Sequence, residues 1–396
     1  MFTAHTAGGK RVNLLDAWSR PQLLQLQERE KLLCPVCGGE VRLRLGEQKR
    51  FHFAHKRETF CSTYFEPESA YHRHGKQLLY LWFQEQGLQA EVEVYLPSIR
   101  QRPDLLLNPH DNPIAIEYQC ATISNEQLLK RTRSYWHAGI RVLWILGGSQ
   151  MKRHAAHWMR LSSLHTLCTQ FSGLPYLLYF CPEARAFFKC APLIPFSTAA
   201  VFCHQLLSPL KEASLQELFA PPVVSLPSLR QEWSRKKKQY RANALYPYRK
   251  SKDRILYSLY EQGIPLSCFP PEICVPLPSG LAFREPAILW QYRFWQTAFG
   301  AEEEGACVRM TERLLSRQPA RALPYLPSSY RQQAAHEYLQ FLCLTGAISG
   351  EGEGVYRKQR SLFVPATEEE ANACDEKWIH HALSLFPAEQ IVTSRS

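Results

Sequence analysis

The amino-acid sequence predicts an α/β protein organised around an αβββαβ core at residues 63–148. Three observations predict it. Between residues 68 and 146 the apolar pattern runs helix, three strands, helix, strand. Residues 34–55 set a Cys-x-x-Cys pair before a strand-like stretch and two histidines. Beyond residue 221 a proline-rich stretch and a basic run lead into helix-like segments. At 396 residues the chain is too long for one core. The predicted divisions are 1–62, 63–220 and 221–396.

The first element is the cysteine–histidine module. Cys34-Pro-Val-Cys37-Gly-Gly has the form of a zinc knuckle, in which glycine supplies the positive φ of a tight turn. Val41, Leu43 and Leu45 alternate with arginines as a strand, which turns at Gly46 and returns to His52 and His55. Two ligand pairs, Cys34/Cys37 and His52/His55, suit a structural tetrahedral Zn²⁺ in a zinc-ribbon-like module. Cys61 stands as an alternative to one histidine. The segment has little apolar material of its own, so a metal staple is expected.

Next comes a helix over 68–87, closed by Gly87, with Leu78, Leu79, Trp82 and Phe83 as its buried stripe. Glu68, His72 and Lys76 follow at intervals of four and share one face. Strands are expected over 90–96, 102–107 and 113–120. A helix over 124–138 opens on Ser124 with Gln127 at the capping-box position. The unit closes on a buried strand over 140–146.

Two carboxylates stand out on this frame. Asp104 begins the second strand, and Glu117 lies within Ile-Ala-Ile-Glu-Tyr on the third. Burying an acid in such a run is costly unless something pairs with it. A Mg²⁺ or Mn²⁺ bound by Asp104, Glu117 and the Tyr118 carbonyl would do so. Gln119 shares a side of the sheet with Glu117. The pattern Asp-x12-Glu-x-Gln resembles the signature of the PD-(D/E)XK, or restriction-endonuclease-like, superfamily. Lysine is usual at the last position. Gln119 can orient a water but brings no charge, which Lys76 could supply. The candidate catalytic set is therefore Glu68, His72, Lys76, Asp104, Glu117 and Gln119.

Several blocks occur in one order: Cys-Pro-x-Cys-Gly, His-Phe-Ala-His, Glu-Ser-x-x-His-x-x-Gly-Lys, Arg-Pro-Asp, Ile-Glu-Tyr-Gln-Cys and Trp-Ile-Leu-Gly. From about residue 34 to 147 this resembles the competence protein CoiA family of bacteria, with a looser likeness through 263–266 and 290–295. The resemblance implies a protein needed for recombination of incoming single-stranded DNA during natural transformation. It also implies a nuclease-like domain acting with a RecA-type recombinase. The family's acidic and glutamine positions fall on Glu68, Asp104, Glu117 and Gln119, and its zinc-finger-like positions on Cys34, Cys37, His52 and His55.

In the remainder, 151–167 reads as a helix, and 175–181 with 186–191 as a hairpin that extends the sheet. Residues 221–228 read as a linker. The stretch 230–254 carries ten Lys/Arg against Glu232 and Asp253. Arg235, Lys236, Lys237, Lys238 and Arg241, interleaved with Trp233, Tyr240, Tyr246 and Tyr248, form a candidate surface for single-stranded or branched DNA. Helices are expected over 255–260, 286–299, 308–315, 328–344 and 368–385.

The net charge of +11 favours a polyanionic partner. No Gly-rich phosphate loop is present, which excludes an ordinary ATPase. The opening residues lack a signal peptide and no run reaches the length of a membrane span, so a cytoplasmic protein without a membrane partner is expected. Thirteen scattered cysteines read as reduced side chains. The reading is a metal-dependent deoxyribonuclease. The rival is a non-catalytic DNA-binding adaptor for a recombinase, which Gln119 favours. A zinc-dependent transcription regulator is weaker, since no helix-turn-helix is evident.

Overall fold

In the computed structural model the described residues are 1–46, 51–56, 61, 68–109, 112–242, 259, 261–311 and 319–391. They form a mixed α/β protein with a large mixed sheet and a helix-rich C-terminal region. The chain divides into two units. One comprises Met1–Met151, Leu177–Lys189 and Leu207–Phe219, and the other Lys152–Tyr176, Cys190–Leu206 and Ala220–Ser396.

The first unit opens with β1 (Thr3–Thr6), β2 (Arg11–Asn13), α1 (Arg20–Arg29) and β3 (Leu32–Leu33). β1 is the middle strand of three. α1 starts at a Ser19–Gln22 capping box. β4 (Val41–Arg44) and β5 (His52–His55) then pair antiparallel, with Val41 and Leu43 inward and both arginines outward.

The core follows as α2 (Ala70–Glu85), β6 (Ala90–Val92), β7 (Leu105–Leu107), β8 (Ile114–Gln119), α3 (Asn125–His137) and β9 (Arg141–Gly147). This is the expected order of helix, three strands, helix, strand. The Ser69 hydroxyl caps α2 by accepting from the His72 N–H at 3.1 Å. Glu68 therefore precedes the helix, a correction to the start expected at residue 68. Its end is as read, with Gly87 at φ 76°. β6, β7 and β8 pair antiparallel, and α3 carries the chain across to β9, parallel to β8. The strand Leu174–Cys181 adds to β9 through Tyr179 and Phe180, so the expected extension of the sheet is present. α2 presses directly on β8. A Cβ at Gly75 would fall 2.2 Å from the Tyr118 ring, so only glycine admits this approach.

One apolar cluster joins Phe2, Leu23, Val41 and Phe53 to Leu79, Trp82, Ile116, Tyr118 and Phe180. The N-terminal elements thus share a core with the αβββαβ frame. The expectation of a segment with little apolar support is corrected accordingly.

In the second unit the single helix expected over 151–167 is replaced by two short strands and one short helix. Arg153–Ala155 and Trp158–Arg160 are strands, and only Ser163–Cys168 is helical. Trp158 and Met159 are buried through strand pairing with Phe202 and Val201. The helix Leu226–Ala242 begins inside the segment read as a linker. The helices Ala287–Ala298, Tyr330–Leu344 and Glu368–Leu383 lie where expected. The helix expected over 308–315 is replaced at its start by the strand Cys307–Arg309, and 312–315 lie outside the described residues. That strand joins the unanticipated hairpin Ile348–Gly352 and Val355–Lys358. Of the segment 255–260, only Leu259 is described. Among the described residues no helix is long and apolar enough to cross a membrane.

Candidate active site and metal centres

α2 and the strand ends before β7 and after β6 bring an acidic group around one lysine. The Lys76 ammonium is fully buried and donates to Glu68 Oε1 at 2.6 Å, Glu93 Oε1 at 2.5 Å and Asp104 Oδ1 at 3.3 Å. His72 Nε2 lies 3.2 Å from Asp104 Oδ2, which also accepts from the Tyr118 N–H at 3.0 Å. Burial by itself would raise all three carboxyls. For Glu68 and Glu93 the Lys76 ammonium, and for Asp104 His72 followed by Lys76, outweigh it. Glu68 and Asp104 are held far below the carboxylate range, and Glu93 falls to about 2. Burial likewise opposes the charge on Lys76, but the same carboxylates hold its pKa above the ordinary value.

Glu117 lies one residue beyond Ile116, which pairs with Leu105, so Asp104 and Glu117 occupy neighbouring positions on adjacent strands. Its carboxylate is buried and Oε1 accepts from Tyr135 at 2.6 Å and from Arg131. Burial raises the Glu117 pKa; Arg131 opposes this, and Asp104 adds to it. The Gln119 amide donates to the Ala121 carbonyl at 2.8 Å. Glu68, His72, Lys76 and Asp104 therefore converge directly, while Glu117 sits beside them with its own partners. Glu93 escaped the sequence reading. It stands in an exposed-looking Glu-Val-Glu-Val alternation, and its burial follows from contacts with the N-terminal segment, Lys76 and Arg102.

The ligand atoms of Glu68, His72 and Asp104 all lie within 4.8 Å of one another. Two carboxylates and an imidazole fit a hard-to-borderline divalent ion. A second group, Cys34, Cys37, His55 and Cys61, meets the same distance limit. Its knuckle is built as the sequence suggests. Gly38 takes φ 66°, its N–H donates to the Cys34 carbonyl at 2.9 Å, and the Val36 N–H points to Cys34 Sγ. Burial pushes the Cys34 thiol up to about 11, and burial also lowers the His55 pKa. A cation that binds thiolate would offset the first, and burial already favours the neutral imidazole that such a cation binds. His52 is a correction: Cys61, not His52, completes the group. His52 and His55 are three apart on β5, an odd separation that sends their side chains to opposite faces.

Family models described as the N-terminal, nuclease-like and C-terminal domains of competence protein CoiA match residues 15–64, 68–223 and 229–371. Competence protein CoiA of Bacillus subtilis (strain 168) is 32% identical over 340 residues, covering 84% of this chain and 91% of that protein. The chain belongs to the competence protein CoiA family. No solved structure matches it.

In the region matched by the CoiA C-terminal domain, the basic helix Leu226–Ala242 requires a correction. Lys237 and Arg241 are fully buried and are not DNA contacts. Lys237 donates to the carbonyls of Pro271 and Ile273 at 2.8 and 2.7 Å. Arg241 grips Asp375 with two bonds of 2.8 and 2.9 Å. Leu229, Trp233, Lys237 and Arg241 recur every four residues, so they form the inward stripe of the helix. That spacing was available in the sequence but hidden by the charge. Arg235 and Lys238 remain exposed, and Lys236 lies over the Trp158 ring. Tyr246 and Tyr248 lie outside the described residues. Asp375→Asn leaves Arg241 and Lys237 as uncompensated buried charges. A loss of about 3–5 kcal/mol is expected in urea unfolding of this unit.

Proposed function

We propose that the chain is a divalent-cation-dependent deoxyribonuclease that cleaves single-stranded or branched DNA during natural transformation. The observation that carries this reading is the convergence of Glu68, His72 and Asp104 within 4.8 Å, inside the region matched by the CoiA nuclease-like domain. The helix, three strands, helix, strand order, with Asp104 and Glu117 on adjacent strands, supports a PD-(D/E)XK core.

Mg²⁺ or Mn²⁺ would be held by Asp104 with Glu68 and His72, and by Glu117 from the next strand. When bound, it supplies Lewis acidity at the scissile phosphate and lowers the pKa of a water. Lys76 contributes the fixed positive charge that the Gln119 position lacks, and Gln119 orients a water by hydrogen bonding. A structural Zn²⁺ fits Cys34, Cys37, His55 and Cys61. Arg235, Lys236 and Lys238 are the described members of the basic helix able to meet DNA phosphates, and a RecA-type recombinase is the expected partner. The setting is cytoplasmic.

The rival is a non-catalytic DNA-binding adaptor. The observation that favours it is that Lys76 and Arg131 already neutralise the candidate ligands. To decide, the full chain is incubated with single-stranded, duplex and branched DNA in Mg²⁺, Mn²⁺ or EDTA, beside Asp104→Asn and Glu117→Gln. Metal-dependent cleavage reduced at least 100-fold in both variants, with DNA still bound, is expected. Tight binding without cleavage in any metal selects the adaptor.

A further inference from the structure

Glu93 is the one member of the acidic group that no motif includes, and its N–H and both carboxylate oxygens are engaged. Its N–H donates to the Asp104 carbonyl at 3.1 Å. One carboxylate oxygen takes the Lys76 ammonium at 2.5 Å. The other accepts from the N–H groups of Phe2 and Thr3, at 2.8 and 3.2 Å, and from the Thr3 hydroxyl at 3.2 Å. Arg102 stands 3.9 Å from that same oxygen.

Residue 93 also departs from the strand. Its φ of 52° lies in the left-handed region, disfavoured for a side chain of this size. The turn aims the carboxylate between α2 and β1 rather than along the face of β6. The Phe2 ring lies 5.5 Å from the Lys76 ammonium, over which β1 forms a roof. β1 is in turn tied to β5, which carries His55 of the metal group, through the Phe53 N–H and the Met1 carbonyl at 2.9 Å.

We propose that Glu93 is a positioning residue that clamps β1 onto Lys76. Its two oxygens fasten the roof with one hand and place the ammonium against Glu68 and Asp104 with the other. The arrangement of the candidate active site thereby depends on the docking of the N-terminal strand, and through β5 on the Cys/His group. The bearing of Glu93 on cleavage rests on the nuclease reading above; its bearing on Lys76 does not.

The test is lysine acetylation footprinting of the full chain, read by peptide mass spectrometry. Glu93→Ala removes both halves of the clamp. Glu93→Gln keeps a carbonyl to receive Phe2 and Thr3 but loses the charge facing Lys76. Acetylation of Lys76 at least tenfold faster in Glu93→Ala is expected, while Lys189, buried in the same unit, and Lys237 stay protected. Protection of Lys76 is expected to return in Glu93→Gln, with kcat for DNA cleavage lowered at least tenfold at unchanged KM. Wild-type protection of Lys76 in Glu93→Ala overturns the proposal. If Glu93→Ala labels all three lysines, Glu93→Gln decides. Protection restored at Lys76 supports the clamp, and equal labelling of all three again overturns it as a general packing role. If the wild-type chain cleaves no DNA, the nuclease reading fails while the labelling pattern still judges Glu93.

Discussion

Lys76→Met destabilises the first unit by about 3–5 kcal/mol, because Glu68, Glu93 and Asp104 lose the counter-charge they share. The lysine stem is replaced by a side chain of similar volume, so the loss reports charge rather than a cavity. Urea unfolding near neutral pH measures it. The pH dependence provides a second reading. The three carboxyls are depressed in the folded wild type, so their contribution is complete above the ordinary value of about 4.5. It is lost as the pH falls towards the folded values, about 2 for Glu93. In Lys76→Met the carboxylates take up protons more readily, so the gap between wild type and variant narrows through this window. A gap that stays constant down to pH 3 would show that the ammonium does not hold the group. Combining Lys76→Met with Glu93→Gln recovers part of the loss, since neighbouring charges are not additive.

Removing the zinc proposed for the Cys/His group is expected to have the second large effect. Structural zinc sites carry on the order of 10 kcal/mol of apparent binding energy, which becomes folding energy when the site is absent from the unfolded chain. β4 and β5 bury Val41, Leu43 and Phe53 in the cluster that also holds Trp82 and Tyr118. Chelation or Cys37→Ser is therefore expected to lower the Tm of the whole first unit by about 10 °C or more, not merely to fray its N-terminus. Metal content measured by mass spectrometry distinguishes the ligands. His55→Ala and Cys61→Ala lose the ion, while His52→Ala retains it. Loss of metal in His52→Ala with full retention in Cys61→Ala would restore the two-histidine arrangement.

Local chemistry made much of the first unit legible. Gly87 and Ser124 are caps whose residue types announce helix ends, and the alternation at Val41 and Leu43 announces a half-buried strand. Glu117 stood out because an acid in an apolar run needs a partner, although the partners found are Arg131 and Tyr135. The second metal group was legible as residue types but not as a set. The odd spacing of His52 and His55 matters only once β5 is known to be a strand.

Other features depend on contacts distant in sequence. Glu93 is buried because β1, some ninety residues earlier, lies against it. Trp158 lies in a stretch read as helix and becomes a strand through pairing with Phe202. Lys237 and Arg241 resemble a DNA-binding run, but Asp375, 134 residues downstream from Arg241, draws Arg241 inward. In each case contacts distant in sequence decided what the local pattern could not.

The most direct test of the candidate active site is a titration of the full chain with Mn²⁺, following the ion by electron paramagnetic resonance. The Cys/His group is first loaded with one equivalent of zinc and any excess is removed, since free zinc would outcompete Mn²⁺ at carboxylate and imidazole ligands. One saturable Mn²⁺ site is expected, abolished by Asp104→Asn and weakened by Glu68→Gln. Mn²⁺ that stays free at millimolar concentration in the wild type would contradict it and leave Lys76 as the resident cation of the site.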